Sequence, residues 1–203
     1  SRGEVARAAE ILRFFASYSR TATGDTVPST DPETFTYTVR EPLGVVSLIT
    51  PWNFPVATPT WKVAAALASG NAVVLKPSSE TPTVAKRLVE ILEAAGVPDG
   101  ALNLVVGPGS TVGDELITDE RVDGISFTGS TGTGMHISTT AAERGVPVQT
   151  EMGGKNPQVV LPDADIDDAA DAAVAGAFGL TGQACTATSR LVVHEAIADR
   201  LTE

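Results

Sequence analysis

Residues 44–75, GVVSLITPWNFPVATPTWKVAAALASGNAVVL, decide how the rest of the chain is read. Two short apolar runs stand near its ends, Gly44–Ile49 and Asn71–Leu75. Between them Val56–Ser69 reads as a helix, ended by Gly70. Unbroken apolar runs belong to strands buried on both faces. Parallel neighbours need a crossover between them, and a helix is the usual one.

The pattern extends in both directions. Downstream, a helix is expected over Pro82–Ala95, closed by Gly96. A strand follows over Leu102–Val106, a short helix over Thr111–Thr118, a strand over Gly124–Phe127 and a helix over Thr131–Glu143. Val146–Gln149 and Pro157–Leu161 read as two more strands. Asp165–Phe178 is a helix whose start is marked by Asp163 and Asp165. Arg190–Val193 is a strand, and a last helix is cut off at Glu203. Upstream, residues 1–20 predict an amphipathic helix with Val5, Ala8, Ala9, Leu12 and Phe15 on one face. Thr23–Pro32 is turn-rich, and Thr34–Arg40 alternates as a strand does. The fold class is α/β, a Rossmann-like parallel sheet followed by the start of a second α/β domain. The boundary is expected near residues 149–154, giving domains 1–150 and 151–203.

Composition narrows the function. The chain has 203 residues with 42% hydrophobic ones, enough for a core in one or two domains. Ser1 in place of an initiator Met points to a piece of something longer. No run reaches the ~18 apolar residues of a membrane span, and no export leader is visible. A net charge of −11 argues against a nucleic-acid partner. The four lysines are Lys62, Lys76, Lys86 and Lys155. So few lysines among so many carboxylates suggest a surface adapted to high salt, with an ordinary acidic protein as the equal alternative. The one cysteine cannot form an internal disulfide, which fits a cytoplasmic location.

Several segments carry chemistry. Cys185 sits among small residues in Gly182-Gln183-Ala184-Cys185-Thr186, open to a substrate. Asn53 lies in the Pro-bracketed Pro51-Trp52-Asn53-Phe54-Pro55, where an amide can donate to a developing oxyanion. An Asn serving the turn is the plainer reading. Glu151 precedes Gly153-Gly154 and can act as a base on water, or be a solvated surface carboxylate. Together the three supply nucleophile, oxyanion donor and base. In Phe127-Thr128-Gly129-Ser130-Thr131-Gly132-Thr133-Gly134 a strand runs into glycines that open a helix, a place for a dinucleotide pyrophosphate. A glycine-rich turn alone would look the same. Lys76, in Leu75-Lys76-Pro77-Ser78-Ser79-Glu80, stands where a strand end meets a nucleotide crevice, though a surface lysine would fit too. His136 and His194 have no metal-ligand spacing, so no metal site is expected, and neither supports a thiol protease.

Taken in order, the segments ITPWNFP, WK, LKPSSETP, FTGSTGTG, EMGGKNP and GQACTATSR resemble the NAD(P)-dependent aldehyde dehydrogenase superfamily. The resemblance spans essentially the whole chain. It implies that Cys185 forms a thiohemiacetal and then a thioester, with the oxyanion held by its own N–H and by Asn53. It implies that Glu151 activates the hydrolytic water. Cofactor contacts carried over are Thr50, Pro51, Trp52, Lys62, Lys76, Ser78, Ser79, Gly129, Ser130, Gly134, Met152 and Gly153. Many NAD-preferring members have Glu where this chain has Ser79. A carboxylate there would repel a 2′-phosphate, so Ser79 favours NADP or dual use. The wording of EMGGKNP and GQACTATSR is most similar to enzymes of α-ketoglutarate semialdehyde (2,5-dioxopentanoate), with succinate semialdehyde as a near relative.

The resemblance also implies a longer parent, a homodimer or homotetramer. This chain lacks a later glutamate motif, much of the catalytic domain and the oligomerisation strand. Alone it would expose apolar faces. A CoA-acylating relative is the alternative reaction, disfavoured by Glu151. A non-catalytic protein on the same fold is the alternative of another class.

Overall fold

The computed structural model describes residues 2–21 and 24–202. Ser1, Thr23 and Glu203, each at the edge of an expected element, lie outside the described residues. The chain divides into two compact units, Ser1–Glu151 and Met152–Glu203.

The first unit opens with α1 (Arg2–Tyr18) and a two-residue antiparallel ladder, β1 (Thr26–Val27) with β2 (Thr36–Tyr37). Then come β3 (Val45–Ile49), α2 (Ala57–Ala68), β4 (Ala72–Lys76), α3 (Pro82–Ala94) and β5 (Leu102–Leu104). A wide π-type turn over Gly109–Gly113 leads into α4 (Asp114–Thr118), β6 (Gly124–Gly129), α5 (Thr131–Arg144) and β7 (Val148–Met152). The sheet runs β5-β4-β3-β6-β7. β3 pairs in parallel with both β4 and β6, and β4 with β5. The chain therefore moves outward from β3 through β4 to β5, then returns to the other side of β3. That reversal leaves a crevice beyond the carboxyl ends of β3 and β6.

Side chains pin the start of β3. Asn71 Oδ1 accepts from Leu43 N at 2.7 Å and Gly44 N at 3.1 Å. Asp123 Oδ2 accepts from Val45 N at 2.8 Å. Gly44 has φ +126°, and a Cβ there would run into the Asp123 carboxylate, so only glycine fits. Each clamp residue precedes a neighbouring strand, so both registers are set at one point. With registers fixed, alternate residues sort by face. Val46, Leu48, Val73 and Leu75 meet Val63 of α2 and Leu88, Val89 and Leu92 of α3 in one core. Ser126 pairs in register with Leu48 and so shares that face, whereas Ile125 and Phe127 register with Ser47 and Ile49 on the other.

Helix α1 packs on α2 and caps it. Glu4 Oε1 accepts from Val56 N at 2.7 Å and Ala57 N at 3.0 Å. The α2 terminus has no cap from its own Val56, so a carboxylate from another helix satisfies its donors and faces its positive end. The buried face of α1 holds Ala8 and Ile11, with Leu12 and Phe15 partly covered; Val5 is 58% exposed, against the sequence expectation. Glu4, one residue before it, turns inward instead because α2 offers unpaired N–H groups there. At the far end of α5, Arg144 donates to the carbonyls of Ile117, Asp119 and Val122 at 2.7–2.9 Å.

Three strand expectations shift, and the one over Leu102–Val106 ends at Leu104. Thr34–Arg40 contributes only Thr36–Tyr37, because Thr26–Val27 offers a partner just two residues long and both are exposed. The strand expected at Val146–Gln149 runs instead over Val148–Met152, so Glu151 stands within a strand.

The second unit holds β8 (Asn156–Val160), α6 (Ile166–Phe178), β9 (Thr188–Val193) and α7 (Ala198–Thr202), with β8 and β9 parallel. Asp165 caps α6, accepting from the N–H groups of Asp167 and Asp168. α6 lies close to β9: a Cβ on Gly176 would sit 2.5 Å from Thr188 Oγ1. No residue of α6 is fully buried, and Val174, Phe178, Leu191 and Val192 are exposed. None of the described helices is long and apolar enough to cross a membrane.

Removing the Glu4 cap with Glu4→Ala should cost about 1 kcal/mol of stability. A urea denaturation midpoint would report it. Glu10→Ala, which breaks only an exposed pair with Arg7, should leave the midpoint where it is. Equal midpoints for both variants would refute the cap.

Candidate active site

The loops beyond β3, β4 and β6 supply the residues expected to hold a cofactor. Thr50 follows β3; its N–H donates to Lys76 O at 3.1 Å, and its buried Oγ1 has no partner among the described residues. Pro51, half-buried Asn53 and exposed Trp52 complete this loop. Lys76 ends β4 and is 5% exposed. Its ammonium makes one hydrogen bond among the described residues, Nζ to Pro77 O at 3.2 Å, and burial lowers its pKa. The Lys76 stem lies against Gly113, with Cε 3.8 Å from where a Cβ there would stand, an ordinary contact. A buried ammonium with unused donors and an orphan hydroxyl beside one crevice fit the hydroxyl groups of a nucleotide ribose.

At the end of β6, a Cβ on Gly129 would sit 2.5 Å from the Phe127 ring, which would have to shift. Ser130 caps α5, its Oγ accepting from Thr133 N at 3.3 Å. Gly134 is buried in the first turns of that helix. The exposed, glycine-lined N-terminus of a 14-residue helix fits a pyrophosphate. Ser78 Oγ accepts from Glu80 N at 3.2 Å, and Ser79 donates to Gly107 O at 3.0 Å. Ser79 thus ties the β4 and β5 loops together and places no carboxylate at that point.

Lys62 stands apart from these residues. It projects from α2 onto the face that carries Ser126, whereas Lys76 registers with Ile49 on the opposite face. Its Nζ donates to Ser126 Oγ at 2.6 Å and Gln149 Oε1 at 3.1 Å. Gln149 in turn donates from Nε2 to Glu151 Oε1 at 2.8 Å. The structure so joins Lys62 to Glu151 through two residues that sequence reasoning passed over. Neither Ser126 nor Gln149 lies in a recognisable motif; the only available signal is the period of two from Gln149 to Glu151 along one strand face. Burial pushes the Lys62 pKa from 10.5 down to about 8, and the Glu151 charge pulls it back up.

In the second unit, Cys185 carries an exposed thiol. Asn156 holds its loop: Nδ2 donates to Cys185 O at 2.7 Å and Ala187 O at 3.2 Å. Gly154 leaves room for that amide, since a Cβ would sit 2.9 Å from Asn156 Oδ1. Gly153 has open space around it, and Met152 is half-buried. Ahead of the cysteine, Leu180, Thr181 and Gly182 all have positive φ, at 53°, 54° and 72°. For Leu and β-branched Thr this is a strained conformation, held just before the loop that presents the thiol.

The histidines serve elsewhere. His194 Nδ1 accepts from Ala196 N at 3.2 Å beyond β9, and exposed His136 lies 3.5 Å from Asp114. No group of three or more potential metal ligands occurs among the described residues.

Comparison with known proteins adds a second line of observation. The model of the aldehyde dehydrogenase family matches residues 1–203. The chain is 49% identical over 203 residues to the alpha-ketoglutaric semialdehyde dehydrogenase of Bacillus subtilis (strain 168), covering 100% of this chain and 42% of that protein. It is similar to the crystal structure of PnpE in complex with nicotinamide adenine dinucleotide, with a TM-score of 0.93 and 40% identity. That match covers 98% of this chain and 40% of PnpE. An NADP-dependent enzyme of E. coli superposes with a TM-score of 0.95 at 40% identity, covering 98% of this chain and 42% of the enzyme. The chain thus spans about two fifths of the length of the proteins it matches.

Two expectations follow from the geometry. A lysine that titrates lower when folded loses its proton first in the folded state, so stability rises with pH between about 8 and 10.5. Lys62→Met should remove a rise of about 3 kcal/mol from that window, read from urea midpoints measured every half pH unit. A wild-type curve parallel to that of the variant would contradict the burial cost. Thr181→Gly should relieve the left-handed strain and add about 1 kcal/mol, seen as slower amide exchange over 179–187. Thr181→Ala, equally strained, should give no gain.

Proposed function

The chain belongs to the aldehyde dehydrogenase family, and from that we propose that its parent protein oxidises an aldehyde to a carboxylate with NADP+ or NAD+. The carrying observation is that one chain holds both an exposed, loop-held Cys185 thiol and a unit built around a nucleotide crevice.

In this reading the Cys185 thiolate adds to the aldehyde carbon, giving a thiohemiacetal alkoxide. The Cys185 N–H and the Asn53 amide stabilise that oxyanion. When bound, the nicotinamide supplies the acceptor for the hydride, and a thioester remains on Cys185. Glu151 takes a proton from water, the water oxygen attacks the thioester carbon, and the carbon–sulfur bond breaks to release carboxylate and thiolate. Lys76 with Thr50 would hold the adenosine ribose, and Gly129, Ser130 and the α5 N-terminus the pyrophosphate. Pro51, Trp52, Ser78, Gly134, Met152 and Gly153 belong to the same cofactor assignment. The absence of a carboxylate at Ser79 supports NADP or dual use.

The substrate proposed is a semialdehyde, α-ketoglutarate semialdehyde first, in keeping with the 49%-identical relative. A cytoplasmic homodimer or homotetramer, with an acidic surface suited to high salt, completes the proposal.

The test is reduction of NADP+ and NAD+ by the full-length parent with α-ketoglutarate semialdehyde. Cys185→Ser should lower the rate by at least about 1,000-fold, as expected for loss of a covalent nucleophile. Ser79→Glu should shift the kcat/KM ratio toward NAD by about tenfold or more. A wild type that reduces neither cofactor with any aldehyde would end the proposal, and one that strictly needs CoA would replace hydrolysis by acyl transfer.

A further inference from the structure

The four residues Lys62, Ser126, Gln149 and Glu151 form one continuous hydrogen-bonded chain, from a buried ammonium to an exposed carboxylate. Its polarity is fixed by chemistry. An ammonium can only donate and a carboxylate can only accept. A glutamine placed between them has one orientation that serves both, with Oε1 toward the lysine and Nε2 toward the glutamate. Ser126 reinforces it, donating from Oγ to Gln149 Oε1 at 2.5 Å while accepting from Lys62 at 2.6 Å. The amide is thus locked at its carbonyl end by two donors and presents its N–H to one carboxylate oxygen, Glu151 Oε1, at 2.8 Å. Glu151 Oε2 accepts no hydrogen bond among the described residues, so it is the oxygen left for water.

We infer that Gln149 is the positioning residue for Glu151, fixing which carboxylate oxygen takes the proton of the hydrolytic water. The inference rests on the reading of Glu151 as the base of the second half-reaction. Strand geometry suits position 149 to this role. Residues two apart on β7 share a face, and Ser126 on β6 lies on the same side. Lys62 reaches that face because α2 covers it. The ammonium is held where burial disfavours its charge and the nearby Glu151 charge favours it. Without Gln149 the carboxylate loses the partner that orients it.

The two halves of the reaction respond differently, and that separates this role from a merely structural one. Up to the thioester no water is activated; after it, water must lose a proton to Glu151 as its oxygen bonds to the acyl carbon and sulfur leaves. In the full-length enzyme, Gln149→Leu should leave the first-turnover burst of reduced cofactor within about twofold. Its steady-state rate should fall about 10- to 100-fold, the cost of a catalytic group displaced by roughly an ångström. Mass spectrometry should show the acyl group accumulating on Cys185. Hydroxylamine attacks a thioester without a base and should restore turnover in the variant. Ser126→Ala, a smaller change, should slow the same phase to a lesser degree.

Burst and steady state falling together, failure of hydroxylamine to restore the rate, or an unchanged steady state would each overturn the inference. A wild type that reduces no cofactor would fail earlier, at the proposed aldehyde oxidation on Cys185, and would take this inference with it. A wild-type burst with a normal variant would strike Gln149 alone.

Discussion

Everything in the first unit depends on how the start of β3 is held. Asn71 and Asp123 close on three consecutive N–H groups, from Leu43 to Val45. One clamp residue leads into β4 and the other into β6. The three strands therefore start in step, and their carboxyl ends emerge at one level, with Ile49 beside both Lys76 and Phe127. A slip of one residue would exchange the faces of a strand. Lys76 would then enter the apolar core, and Ser126 would lose Lys62. The backbone at Gly44, which only glycine adopts there, is the local condition for this arrangement.

The elements of the sheet were readable because buried parallel strands announce themselves. GVVSLI and NAVVL are too apolar for anything exposed, and glycines end the helices between them. The glycine run after Phe127 and the isolated Cys185 were equally plain. What lay beyond reach depended on pairing between distant segments. Thr34–Arg40 has the composition of a strand, yet its length is set by a partner only two residues long. Val5, expected on the buried face, is exposed while its neighbour Glu4 turns inward because the end of α2 needs a carboxylate, a fact about another helix. Lys62 stood out in the sequence as one of four lysines, but its partners did not: α2, β6 and β7 must come together before Ser126 and Gln149 acquire meaning.

Backbone conformation was the other blind spot. Leu180 and Thr181 carry none of the usual marks of a left-handed residue, since Gly and Asn are the residues that go there readily. Their strain is imposed by the fold around the cysteine loop. Asn156 is a similar case. Beside a proline it reads as turn chemistry, yet it clamps the carbonyls of Cys185 and Ala187. The isolated cysteine was visible in the sequence, and the scaffold that presents it was not.

The two buried lysines lie on opposite sides of one sheet. Lys76 looks toward the nucleotide loops, where Ser79 bonds to Gly107, and Lys62 toward the chain of bonds that ends at Glu151. The sheet stands between these two side-chain networks. On the proposed reading of Ser79 and Glu151, the choice between two dinucleotides could be retuned on one side of the wall without disturbing the proton chemistry on the other. A lineage moving to a new coenzyme supply would need to alter only one room of the building.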